Sequence, residues 1–139
     1  VLDLNANVYL PLKGIAATFP GKVFSGRYLD EIVTRDWYRA RIEEGVAQAF
    51  LDAASRGSKI PHSNDGYAVF EQVVRSVTSV GVAAGHFLSD SLDLQFPRRS
   101  EVSQADVVAR IYRASGSVGL AGAVHTLSFT IAATYAQGA

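Results

Sequence analysis

The chain has 139 residues, 48% of them apolar and 19% charged, with 13 basic residues balancing 13 acidic ones. This describes one globular domain, able to bury roughly 70% of its unfolded surface, and excludes both a disordered chain and a strongly basic nucleic-acid binder. Cysteine is absent, which excludes disulfides, thiolate nucleophiles and Cys-ligated zinc.

No apolar run approaches the ~20 residues that span a bilayer, so no membrane insertion by this domain is expected. Asp3 interrupts the start and no basic n-region opens the chain, which argues against a signal peptide. Methionine is also absent, even at position 1. The expectation is a processed or trimmed piece of a longer protein, one domain spanning 1–139.

The first third reads as extended. Val8, Leu10 and Leu12 alternate with Tyr9, Pro11 and Lys13, the period of a half-buried strand. Pro11 points to an edge or irregular strand, because proline cannot donate to a ladder. Gly14 precedes a second run, Ile15 to Phe19, and Pro20-Gly21 makes a turn before a third extended stretch, Lys22 to Leu29.

From Thr34 the period lengthens. Thr34 or Asp36 is a candidate cap, and Tyr38, Ile42, Val46, Ala49, Phe50 and Ala53 recur at helical spacing up to a stop at Gly57. This predicts a helix over about 34–56. A second helix, about 64–84, starts at Ser63, Asn64 or Asp65 and carries Gly66, Phe70, Val73, Val77, Val80 and Ala84 along one stripe. Glu71 and Arg75 form an i,i+4 pair on its outer side.

His86 to Arg99 reads as a loop or short hairpin ending at Pro97. Ser103 with Asp106 resembles a capping box and opens a short helix over about 104–110. Ile111 to Leu120 alternates as a strand, and Ala121-Gly122 separates it from the most regular alternation in the chain. There Leu127, Phe129, Ile131, Ala133 and Tyr135 share one face, and Thr126, Ser128, Thr130 and Thr134 the other. The fold class is therefore α+β, an antiparallel or mixed sheet packed against two long helices and one short one. Asn7–Leu12, Ile111–Leu120 and Val124–Tyr135 are expected to share one sheet with an open edge.

Reactive chemistry is sparse. His62, His86 and His125 lack metal-site spacing, and His125 reads as a half-buried strand residue. His62, Ser63 and Asp65 contain the residue types of a hydrolase triad, but helix capping explains Ser63 and Asp65. Asp90 and Asp93 fit a Ser/Asp-rich loop. Gly116, Gly119 and Gly122 lack the strand-to-helix context of a dinucleotide loop. Gly21-Lys22 lacks the flanking residues of a phosphate-binding loop. No catalytic residue, cofactor or metal is expected. The enzyme alternative would use His62, His86 or His125 with nearby carboxylates.

The order of motifs resembles something known. Asn7-Val8-Tyr9, Gly21-Lys22-Val23, Ser25-Gly26 and Tyr28-Leu29-Asp30 precede Asp36-Trp37. Lys59-Ile60-Pro61, Asp65-Gly66 and Gly81 to Gly85 follow. Val102-Ser103, Ala105-Asp106 and Ala109-Arg110 then lead to Leu120-Ala121-Gly122-Ala123-Val124-His125. Across nearly the whole chain this is similar to the C-terminal domain of bacteriophage tail sheath-like proteins, including a family of uncharacterised phage proteins.

That resemblance implies a structural virion protein, assembled in the bacterial host cytoplasm as a helical homo-oligomer around the tail tube protein. It implies a tube-proximal domain of a longer subunit, linked to its neighbours by added β-strands, that takes part in contraction. A non-contractile tail or baseplate component is the alternative within phages. Neither nucleic acid nor a cofactor is an expected partner. Independently, edge-ready strands and backbone ladders suit such a role. The strand-pairing candidates are Val8, Tyr9, Leu10, Val124, Thr126, Ser128 and Thr130.

Overall fold

Residues 7–12, 14–19, 21–124 and 128 are described by the structure, a computed structural model. Among the described residues three helices form, α1 (Leu29–Ser55), α2 (Asn64–Ala83) and α3 (Gln104–Val108). Ser63 caps α2 by accepting a hydrogen bond from the Gly66 N–H at 3.2 Å. Ser103 caps α3 through the Asp106 N–H at 3.1 Å. Both caps satisfy first-turn donors that have no partner within the helix.

The start of α1 differs from the expectation. Thr34 and Asp36 lie inside the helix, which begins at Leu29 after an extended Tyr28. Lys22 to Leu29 forms no third strand, only a single antiparallel bridge between Lys22 and Tyr28. A tight turn, closed by Val23 N–H to Arg27 O and Gly26 N–H to Val23 O at 2.8 Å each, delivers Leu29, whose N–H donates to Gly21 O. Asp30 and Glu31 then sit in the first turn, where negative charge complements the helix dipole.

All three helices end in the same way. The residue at C′ has a left-handed backbone: Gly57 (φ 64°), Gly85 (φ 74°) and Arg110 (φ 58°). In each case its N–H and the next one return to the last turn: Gly57 and Ser58 to Ala54 and Ala53, Gly85 and His86 to Val82 and Gly81, Arg110 and Ile111 to Val107 and Asp106. This is the Schellman arrangement, which satisfies the terminal carbonyls.

Contacts between the two long helices run in opposite directions along them. A Cβ on Gly45 would come within 2.6 Å of the Val73 side chain. The Tyr38 and Thr78 hydroxyls lie 2.8 Å apart, and the Phe50 and Phe70 rings 5.5 Å apart. Rising positions on α1 meet falling positions on α2, so the pair is antiparallel. The buried stripe of α2 holds Gly66, Tyr67, Thr78 and Gly81, whereas Val80 of the expected stripe is 55% exposed. The stripe is rotated because Tyr38 and Phe87 pack over Thr78 and Gly81.

The strands make two separate antiparallel pairs. β1 (Val8–Leu12) joins β2 (Ile15–Phe19), and β3 (Phe87–Gln95) joins β4 (Ser115–Leu120). The α+β class stands, but Asn7–Leu12 and Ile111–Leu120 do not share a sheet. Pairing of β1 with its immediate neighbour β2 needs only a two-residue loop, which closes at little entropic cost. The stretch from His86, expected as a loop or short hairpin, is mostly the nine-residue strand β3. Ser89, Asp90 and Asp93 are exposed and Ser91 is half-buried, where the register shifts between Phe87 and Leu92. The terminal alternation, apart from Val124 and Ser128, lies outside the described residues.

Few described side chains are buried: Ala53, Tyr67, Thr78 and Phe87. Phe87 is central, 3% exposed and edge-on to Tyr38 at 4.9 Å. No described helix is long and apolar enough to cross a membrane.

Candidate functional site

Two surfaces stand out, an isolated β-hairpin and an open apolar groove. In the hairpin, the register runs from Leu12↔Ile15 to Val8↔Phe19. The pair closing a two-residue loop is hydrogen-bonded, and pairs then alternate. Val8, Leu10 and Leu12 therefore spend their backbone groups on β2, while Tyr9 and Pro11 point theirs outward. Pro11 has no N–H, so β1 offers a defective outer edge. Of the expected candidates Val8, Tyr9 and Leu10, only Tyr9 keeps outward donor and acceptor groups. The complete edge belongs to β2, at Ala16 and Thr18.

Among the described residues, the hairpin packs appreciably on neither the helices nor the second sheet. Its base is held by Asn7, whose amide donates to Lys22 O at 2.5 Å and accepts from Lys22 N–H at 2.8 Å. Tyr9 and Ile15 are each 72% exposed. The element is tied at one end and apolar beyond it.

The groove encloses about 940 Å³ between α1, α2 and the second sheet. Tyr38, Ile42, Val46 and Phe50 form its α1 wall, and Tyr67, Phe70 and Val74 its α2 wall. Consecutive residues Ala114 to Val118 all border it. Alternate faces of a strand cannot both line one wall, so the edge of β4 away from β3 faces the groove. The Tyr67 and Tyr112 rings stack at 3.9 Å near one end, and the Tyr112 hydroxyl donates to Pro97 O at 3.1 Å. Burial, followed by the charges of Glu71, Tyr67 and Glu101, raises the Tyr112 pKa above the ordinary phenol value.

The histidines are not gathered here. His62 lines the groove, with Nδ1 3.0 Å from the Tyr67 hydroxyl. His86 lies tilted against Trp37 with ring centroids 5.2 Å apart, beyond the opposite end of α2, a helix of about 30 Å at 1.5 Å per residue. His125 lies outside the described residues. Asp90 and Asp93 are exposed on β3, and Asp93 accepts from the Gln95 amide at 2.6 Å. Among the described residues, no three His, Cys, Asp or Glu side chains converge as a metal site would require.

Of the C-terminal pairing candidates, Val124 is 87% exposed and Ser128 is exposed in no regular element; Thr126 and Thr130 lie outside the described residues. Sequence reasoning passed over Ala16 and Thr18, although the parity of Pro11 about the Lys13-Gly14 loop was a usable signal. The helical spacing of Tyr38, Ile42, Val46 and Phe50 marks an apolar face without saying what covers it. Comparison with known proteins finds no matching family model and no matching curated relative.

Proposed function

We propose that this chain is a structural assembly module, a tail sheath-like virion domain that polymerises around a tail tube by strand addition between subunits and takes part in contraction. The observation that carries the reading is the β1–β2 hairpin, tethered at its base and, among the described residues, without appreciable packing elsewhere or a third strand along β2. A two-stranded hairpin alone is marginally stable in water, so a partner strand is its natural complement. Strand addition reads backbone more than side chains, and head-to-tail contacts that do not close give helical filaments. The motif order described above supplies the virion context. Electron microscopy of the full chain, alone and with a tail tube, tests the proposal. Tubular or ringed polymers are expected; a protein that stays monomeric at high concentration with the tube present counts against it.

A further inference from the structure

We infer that the apolar groove binds a long-chain carboxylate, its hydrocarbon tail along α1 and its head group at the end bordered by Lys59 and Arg110. This does not rest on the assembly reading, since no described residue of β1 or β2 lines the groove.

The groove has two unlike ends. At one, Tyr112 stacks on Tyr67 in the first turn of α2, and the Tyr67 hydroxyl lies 3.0 Å from His62 Nδ1. Lys59 comes just before His62 in the chain and Arg110 just before Tyr112, so both cations border this end. Tyr38 stands at the other, where it meets Thr78 late in α2.

No described residue lining the groove is acidic. Among the described residues neither Lys59 nor Arg110 is in an ion pair. The carboxylates whose charge reaches Tyr112 are engaged elsewhere: Glu71 by Arg75 at 2.6 Å, and Glu101 by the Arg98 N–H at 2.6 Å. The His62–Tyr67 pair adds a donor. A neutral imidazole and a phenol bring one proton each and their bond uses one, so the other stays available. Two cations and a spare donor at one end of an apolar cleft complement an amphipathic anion.

The tail has a track to follow. From Tyr38 to Phe50 the α1 wall runs about 18 Å at ~1.5 Å per residue, with Ile42 and Val46 between them. A volume of about 940 Å³ is in the range of pockets that take small ligands. A peptide strand added to β4 fits less well. Its second row of N–H and C=O groups would turn away from β4 toward aliphatic and aromatic side chains, and the Tyr38 hydroxyl is already bonded to Thr78. Backbone groups left unpaired there are costly; a hydrocarbon has none. Ser115, Gly116 and Ser117 are exposed, so the β4 edge reaches solvent without a strand beside it.

Titration calorimetry of the full chain with laurate, kept below its micelle concentration, tests this. One laurate per chain is expected, bound about tenfold more tightly than dodecyltrimethylammonium, a cation of equal chain length. Decanoate, two methylenes shorter, should bind about fifteenfold more weakly than laurate. Lys59→Gln with Arg110→Gln should weaken laurate about tenfold and leave the cationic probe unweakened. Arg27→Gln, which removes a cation from outside the groove, should change neither. Saturating laurate should raise the thermal midpoint.

Equal affinities for the two head groups, or an equal effect of Arg27→Gln, would overturn the inference. So would the lack of saturable laurate binding, the result if another part of the chain or a second copy covers the groove. A lowered midpoint, the mark of a surfactant on the unfolded chain, would reject it too. Polymer formation enters none of these readings, so failure here and failure of the assembly proposal are distinguishable.

Discussion

Arg110 occupies a position that α1 and α2 give to glycine. Its φ of 58° brings Cβ against the following carbonyl, at a cost of roughly 1–2 kcal/mol for a non-glycine residue. Arg110→Gly removes that strain but adds freedom to the unfolded chain. The expected outcome is a net gain of up to about 1 kcal/mol, read as a higher urea midpoint with an unchanged slope. A loss would show that the side chain, which borders the groove, makes a compensating contact. Tyr112 gives a pH prediction. Its folded pKa is raised, chiefly by burial, so the folded state holds the phenolic proton more tightly than the unfolded chain. That stability is complete below the unfolded value near 10 and is lost as pH rises through the higher folded value. Unfolding free energy should therefore decline from about pH 10 upward. Tyr112→Phe should lower stability at neutral pH, having lost the bond to Pro97, and flatten the alkaline decline; an unchanged alkaline slope would remove Tyr112 as its source.

At the scale of elements, one glycine and one hydroxyl pair explain how α2 meets its neighbours. A Cβ on Gly81 would collide with the Phe87 ring, so the absence of a side chain there lets β3 lie against the helix. Gly81→Ala improves helix propensity yet overpacks the Phe87 site. A net loss of about 1–3 kcal/mol is expected, and thermal unfolding of the variant measures it; a stabilised variant would mean the ring shifts freely. Beside it, the Thr78 hydroxyl donates to Val74 O at 2.7 Å. Its one proton is spent there, so Tyr38 is the donor in the 2.8 Å pair. That bond satisfies two polar groups between the helices, where an unmade one costs roughly 1–3 kcal/mol.

For the whole molecule, the decisive feature is incompleteness. Among the described residues, the hairpin packs appreciably on no other element, and none covers the α1 wall of the groove. Ala16→Pro separates assembly from folding. Ala16 pairs with Pro11 at a position whose N–H points away from β1, so proline keeps the hairpin's own ladder while deleting an outward donor. Assembly by strand addition at β2 should then be lost, with the monomer's unfolding curve retained. Sedimentation and negative-stain microscopy of the two proteins check this, and polymers of undiminished length would direct attention away from the β2 edge.

Local chemistry was legible wherever neighbours in sequence settle the outcome. Ser63, Ser103 and Gly57 mark helix ends because capping bonds reach only a few residues, and the Glu71–Arg75 pair forms at 2.6 Å because i,i+4 side chains share a face. Early entry into α1 was not legible, since it depends on the Lys22–Tyr28 bridge. Nor was β3, whose Ser and Asp residues become a strand only beside β4. The sequence by itself determined the three helices, the first two strands and the α+β class, all products of short-range periodicity and capping. Only the tertiary structure decided which strands pair, which face of α2 is covered and which apolar surface stays open. Those outcomes depend on distant residues competing for one partner, and no local pattern records who wins.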